Sequence, residues 1–140
     1  MNEEKKRVPV REGLWTSDER PQLIGSQCTH CGEVFFPKRE NGLCSYCQSS
    51  NLKEIKLSPK GKIYSYTVVM QRPLVYYKAE VPYAIGFVEL PEGIRVETLF
   101  TGCPLEDLRV GMDVELMIDK LHEEEDGTEV YSYKFRPVMN

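Results

Sequence analysis

The chain has 140 residues, 41% of them hydrophobic, and a formal net charge of −4. This length is one domain's worth and excludes a nucleotide-binding enzyme with a separate substrate domain, while the negative charge disfavours a protein that wraps nucleic acid. No apolar run approaches the roughly 18 residues needed to span a bilayer, and the charged N-terminus lacks the apolar core of a secretory signal, so we expect a cytoplasmic protein with no membrane partner.

Residues 1–21 predict an N-terminal segment with helical character. Val10 and Leu14 are four residues apart, as on one face of a helix, and Pro21 ends the pattern. Trp15 follows Leu14 and is the only tryptophan of the chain. We interpret Trp15 as an anchor that docks this segment onto the rest of the protein.

Residues 22–57 predict a zinc ribbon. Cys28 and Cys31 form one C-x-x-C pair, and Cys44 and Cys47 form a second pair. Each spacing lets one tight turn present two sulfurs to a single ion, and the residues between the pairs can form a hairpin. Four thiolates make the closed, structural type of Zn²⁺ site, which has no open position for substrate. A redox dithiol and a ribbon without its metal are the alternatives, and the first would need a thioredoxin-like βαβ frame that is missing.

The predicted ribbon is too small to be stable without its metal. A module of roughly 30 residues cannot bury enough apolar surface by itself. We therefore expect the loss of one cysteine ligand to unfold the ribbon and to leave the remainder of the chain largely folded. His30 lies inside the first C-x-x-C pair, but four thiols already complete the ligand set.

Residues 58–140 predict five strands rich in β-branched and aromatic residues. These strands cover residues 62–70, 82–90, 95–100, 114–119 and 131–135. A short loop or a single helical turn at 104–108 separates the third strand from the fourth, and Asp126-Gly127 predicts the last hairpin. The pattern matches the five-stranded OB-fold barrel, with an SH3-like barrel as the competitor on strand count alone. The predicted fold class is therefore mostly β, with an N-terminal helical segment, a four-cysteine zinc ribbon and an OB-fold barrel.

The sequence contains no recognisable catalytic constellation, so no catalytic residue is predicted. Cys103 is the only thiol outside the two pairs, and Pro104 follows it in a predicted turn. His122 precedes the acidic run 123–126, which we interpret as a solvated hairpin tip. Neither histidine has an evident route to Cys103, and no glycine-rich phosphate loop or hydrolase motif is present. We interpret Cys103 as a partly buried small residue.

Taken in order, the motifs resemble the DUF35 family over nearly the whole chain. They are Leu14-Trp15, the two C-x-x-C pairs with Phe36-Pro37 between them, 61–69, Pro82-Tyr83, 88–93, 111–114 and 134–137. The resemblance implies a rubredoxin-like zinc ribbon followed by an OB fold. It also implies a non-catalytic subunit that binds a thiolase-fold enzyme acting on a β-ketoacyl-CoA, with benzoylsuccinyl-CoA as one candidate, or alternatively an enoyl-CoA hydratase.

The connection between the first two barrel strands is the predicted functional surface. It contains Arg72, Tyr76, Tyr77 and Lys78, and in OB barrels this connection borders the ligand face. The two cations could meet the phosphates of CoA, and the tyrosines could contact its adenine or line an interface with the partner enzyme. The alternative is a long surface hairpin with ordinary tyrosine packing.

A single-stranded nucleic-acid-binding OB protein is the competing function from another class. It requires a basic groove with stacking aromatic residues. Aromatic residues are present at Tyr64, Tyr66, Tyr131, Tyr133 and Phe135, but the charge has the wrong sign. No nucleic-acid partner is therefore expected.

Overall fold

A computed structural model describes residues 6–17, 19–39, 42–70 and 82–138. The strands are β1 (Arg7–Pro9), β2 (Ile24–Cys28), β3 (Val34–Phe35), β4 (Leu52–Lys56), β5 (Lys60–Val69), β6 (Tyr83–Glu89), β7 (Arg95–Phe100), β8 (Asp113–Glu123) and β9 (Glu129–Pro137). One sheet has the order β3-β2-β4 and forms the ribbon. The other has the order β1-β9-β7-β6-β5-β8, and pairing of β8 with β9 closes it into a barrel.

The barrel consists of β5 to β9, which confirms the predicted five strands. Strand β6 shows the alternation clearly, because Ala84 and Val88 are buried whereas Phe87 and Glu89 are exposed. Strands β5, β6 and β7 form an antiparallel meander, and β7 then pairs with β9 in parallel. A 3-10 turn at Leu105–Asp107 lies between β7 and β8, where the sequence predicts a short loop or one helical turn. This five-stranded barrel, in which β7 and β9 pair at only two positions, has the arrangement of an OB fold.

The prediction of an N-terminal helical segment is wrong. The segment contributes β1, which pairs in parallel with β9, and the Val10 N–H donates to the Tyr131 carbonyl at 2.7 Å. Gly13 has a φ of +80°, a left-handed conformation that interrupts any helix. One apolar pair at helical spacing is a weak signal, and the backbone hydrogen bonds offered by β9 override it. No helix in the described ranges is long and apolar enough to cross a membrane.

Ribbon and barrel share one hydrophobic core. Leu23 and Leu57 from the ribbon side are fully buried in the same cluster as the barrel residues Ile63, Val88, Val96, Val114 and Phe135. The ring of Phe36, just after β3, also meets the ring of Tyr133 on β9 edge to face, with centroids 5.5 Å apart. The sequence predicts that the barrel stays folded when the ribbon unfolds. Because the two parts share a core, we now expect unfolding of the ribbon to destabilise the barrel as well.

Hydrogen bonds fix the joint between the two parts. The Leu57 N–H donates to the Leu23 carbonyl at 2.8 Å, and the Gln22 side chain donates to the Leu57 carbonyl at 3.2 Å. In the turn between β6 and β7, Glu92 Oε2 accepts hydrogen bonds from the Ser58 N–H at 2.9 Å and from its hydroxyl at 2.8 Å. The ribbon is therefore held on the barrel by both apolar and polar contacts.

Candidate metal centre and barrel face

The fold brings the four predicted cysteine ligands together. Their Sγ atoms all lie within 4.8 Å of one another, and the cross-pair distances Cys28–Cys47 and Cys31–Cys44 are 3.5 Å. A tetrahedral zinc ion with Zn–S bonds of about 2.3 Å places its sulfurs about 3.8 Å apart. The four thiols therefore fit a Zn²⁺ ion with small adjustments.

Local turns aim the sulfurs at this point. In the first pair, the Cys31 N–H donates to Cys28 Sγ at 3.5 Å, and Gly32 leaves the turn with a φ of +86°. In the second pair, the Tyr46 N–H donates to Cys44 Sγ at 3.4 Å. Backbone N–H groups that point at sulfur stabilise the thiolate form, which is the form that binds metal.

The four thiols can all be deprotonated at neutral pH only if a cation lies between them. The Cys31 N–H is the main cause that lowers the pKa of Cys28 to about 6. For Cys31, the Glu33 N–H favours the thiolate, but desolvation and the neighbouring thiols outweigh it and raise the pKa to about 12. Thiolates this close repel one another, so the full set ionises together only around a positive ion.

The site offers four sulfur ligands, the closed arrangement that is typical of structural zinc sites. Cys28 and Cys44 are fully buried, so the metal position is screened from one side by the ribbon itself. Among the residues that the structure describes, these four cysteines are the only group of three or more His, Cys, Asp or Glu residues placed to hold a metal. His30 is exposed and is not part of the group.

The thiol outside the two pairs, Cys103, is partly buried, and its pKa is raised. Cys103 lies beyond β7 and packs, partly buried, against the core. Burial raises its pKa, and the carboxylates of Asp107 and Glu106 raise it further. His122 on β8 instead shares a hydrogen bond of 3.1 Å with Glu124 at the tip of the β8–β9 hairpin. A thiol that is held protonated, and that no described base contacts by a hydrogen bond, is a poor nucleophile.

The predicted loop residues Arg72, Tyr76, Tyr77 and Lys78 lie outside the described residues. Their role in binding CoA or a partner therefore stays a prediction.

A groove of about 510 Å³ runs along the outer face of β6 and β7, where OB folds bind ligands. Its apolar lining includes Ile85, Phe87, Leu99 and, from the ribbon, Phe36. The cation at its rim, Arg95, is already engaged, because its guanidinium pairs with Glu89 at 3.2 Å and stacks over Tyr64 at 3.8 Å. Since Glu97 also lines the groove, the face offers no uncompensated positive charge, which is unfavourable for a nucleic-acid strand.

The fold and the cysteine site together define a protein with a zinc ribbon joined to an OB-fold barrel. Two family models agree: that of the ChsH2 rubredoxin-like zinc ribbon domain matches residues 15–53, and that of the ChsH2 C-terminal OB-fold domain matches residues 54–119. The chain belongs to the DUF35 family, since it is 43% identical over 124 residues to a DUF35 domain-containing scaffold protein of Methanocaldococcus jannaschii. That alignment covers 87% of this chain and 86% of its relative.

Two further relatives bear on the biological context. The benzoylsuccinyl-CoA thiolase subunit BbsA of Thauera aromatica is 31% identical over 118 residues, which are 84% of this chain and 78% of BbsA. Among solved structures, a chain of the Ltp2-ChsH2(DUF35) aldolase superposes with a TM-score of 0.66 at 26% identity, covering 84% of this chain and 86% of that one. Both relatives bear the names of enzymes or enzyme subunits.

Proposed function

We propose that this chain is a non-catalytic zinc-ribbon and OB-fold subunit of an acyl-CoA-processing enzyme complex. The observation that carries the proposal is the similarity to a benzoylsuccinyl-CoA thiolase subunit over most of both chains. The scaffold relative of M. jannaschii supports a role through contact rather than through chemistry. In this proposal one Zn²⁺ ion, held by the four ribbon cysteines, stabilises the fold and takes no part in the reaction.

The proposed partner is a thiolase-fold subunit that cleaves or forms a β-ketoacyl-CoA, with benzoylsuccinyl-CoA as one candidate. Such a reaction needs a nucleophilic thiolate, an acid or base for the carbanion and an oxyanion site. The part of this chain that the structure describes offers only Cys103 outside the metal cluster, and its pKa is raised. The partner must therefore supply the nucleophile, while this chain supplies structure and contacts to the acyl-CoA at the interface.

The loop with Arg72, Tyr76, Tyr77 and Lys78 is the proposed contact for CoA or for the partner. Replacing both tyrosines with alanine should weaken the complex or raise its KM for the CoA ester, with zinc content unchanged. A variant that assembles and turns over normally would remove the loop from the proposal and leave the subunit role intact.

Affinity purification of the tagged full chain from its native host, followed by identification of the companion protein, tests the proposal. A thiolase-fold companion is the expected result, whereas a hydratase would keep the subunit role and change the reaction. The proposal fails if no acyl-CoA enzyme accompanies the chain and single-stranded DNA or RNA binds more tightly than the roughly micromolar range of non-specific binding.

A further inference from the structure

The tip of the zinc ribbon carries a large exposed aromatic residue that the core does not use. Tyr46, between the two cysteines of the second pair, has 72% of its surface exposed, and Leu43 of the same knuckle has 52% exposed. No hydrogen bond to the Tyr46 hydroxyl occurs among the described residues. Tyrosine is enriched among the residues that dominate protein interfaces, so this exposure is a candidate anchor for a partner.

Two contacts within the ribbon restrain Tyr46. Its backbone N–H is bonded to Cys44 Sγ, so the metal centre fixes its position in the chain. Its ring also contacts the ring of Phe35 on β3, with a centroid distance of 6.1 Å and a tilt of 31°. A side chain that is already ordered loses little conformational entropy on binding, which favours affinity.

The Arg39 guanidinium lies beside the ring of Phe35, the neighbour of Tyr46, and has no carboxylate partner among the described residues. The Arg39 guanidinium lies 5.3 Å from the centroid of Phe35, and its Nη1 donates to the Ser45 hydroxyl at 3.4 Å. Buried Ser26 accepts a hydrogen bond from the Arg39 backbone N–H at 2.8 Å, which fixes where the side chain starts. No carboxylate of the described residues forms an ion pair with Arg39. The described part of the tip therefore presents aromatic surface together with a positive charge that no described carboxylate pairs.

The barrel provides an internal contrast. Tyr64 on β5 is also exposed, at 46%, but Arg95 covers its ring at 3.8 Å and Glu89 neutralises that arginine. The arginine of the barrel is thus neutralised within the chain, whereas no carboxylate in the described ranges pairs with Arg39 at the ribbon tip. Charge complementarity assigns such a carboxylate to a binding partner.

We infer that the ribbon tip, formed by Phe35, Arg39, Leu43 and Tyr46, is a docking surface for the catalytic subunit. The complementary surface on that subunit is an apolar pocket that receives the Tyr46 ring, with an aspartate or glutamate at its rim for Arg39. This inference rests on the proposed function, because it names the surface through which the accessory subunit binds its enzyme.

The test measures the dissociation constant between the full zinc-loaded chain and the purified enzyme subunit with which it co-purifies. Tyr46→Ala should weaken binding about 30-fold, as expected for an interface anchor. Arg39→Ala should weaken it about tenfold and reduce its dependence on salt, since a pair of exposed charges is screened by ions. The matched control Tyr64→Ala should change binding less than about threefold, as a residue outside the interface does.

Zinc content and the thermal midpoint are measured for each variant. If Tyr46→Ala loses zinc, Leu43→Asp replaces it, because Leu43 lies outside the C-x-x-C pair, and it should weaken binding about tenfold. The inference is overturned if the wild-type complex forms and the tip variants bind within about threefold of it, or if Tyr64→Ala is equally harmful. If the wild-type chain binds no acyl-CoA enzyme, the proposed function fails and the inference fails with it.

Discussion

The substitution Leu57→Ala is the most direct way to perturb the contact between ribbon and barrel. The side chain of Leu57 is fully buried in the shared core, and its backbone is bonded on both sides, to Leu23 and to Gln22. Truncation of such a leucine to alanine costs about 3–5 kcal/mol through lost burial and the remaining cavity. For a chain of 140 residues, an unfolding entropy of about 0.3 kcal/mol/K converts this loss into a fall of about 10–17 °C in thermal midpoint.

Two probes of the same melt show whether ribbon and barrel unfold together. Circular dichroism follows the barrel strands, and a chromogenic chelator follows release of zinc from the ribbon. In the wild type and in Leu57→Ala, we expect both signals to change at one temperature, which is lower in the variant. The control Val110→Ala removes a side chain that is 66% exposed and should change stability by less than about 0.5 kcal/mol.

A midpoint for Leu57→Ala within about 3 °C of the wild type, a shift worth only about 1 kcal/mol in a chain of this size, would refute the shared core. Release of zinc in a separate, earlier transition of the wild type would refute it as well. In that case the ribbon would unfold by itself and leave the barrel folded, as the sequence alone predicts.

Three further predictions concern single side chains. Freshly purified wild type should contain one zinc ion per chain by elemental analysis, and Cys44→Ser should contain well under one; full occupancy in the variant would contradict the ligand set. Cys103 should react with iodoacetamide more slowly than free cysteine at neutral pH, with a rate still rising above pH 9, because its raised pKa keeps the thiol protonated; a rate equal to that of free cysteine would contradict this. Glu92→Ala should lower the free energy of unfolding by about 2 kcal/mol through loss of the two Ser58 hydrogen bonds, and Glu92→Gln, which keeps an acceptor, should lose less; equal losses would indicate that these bonds contribute nothing specific.

The sequence predicts well those features that depend on local spacing. Two C-x-x-C pairs indicate a four-sulfur site because each turn needs only its own residues to present two thiols. Strands β6 and β7 are visible for a similar reason, since their alternation reflects which face each residue presents to the core.

Features that depend on distant partners could not be predicted in this way. The strand β1 forms because it makes backbone hydrogen bonds with β9, which lies more than a hundred residues further along the chain. The spacing of Val10 and Leu14 contains no information about that distant strand. The contact between Phe36 and Tyr133 cannot be predicted from the sequence either. The sequence therefore predicts two separate modules, whereas the structure has one core. The exposure of Tyr46 is not predicted either, because a C-x-x-C motif fixes the spacing of its cysteines and says nothing about the residues between them.

Turnover of a β-ketoacyl-CoA with free CoA, measured for the companion enzyme alone, for this chain alone and for the two combined, tests the central claim most directly. The account predicts no turnover by this chain at any concentration, and turnover by the companion that is enabled or raised when the chain is added. Turnover by the isolated chain, abolished by Cys103→Ser, would contradict the account, because it would place the nucleophile in the subunit proposed to act only by contact.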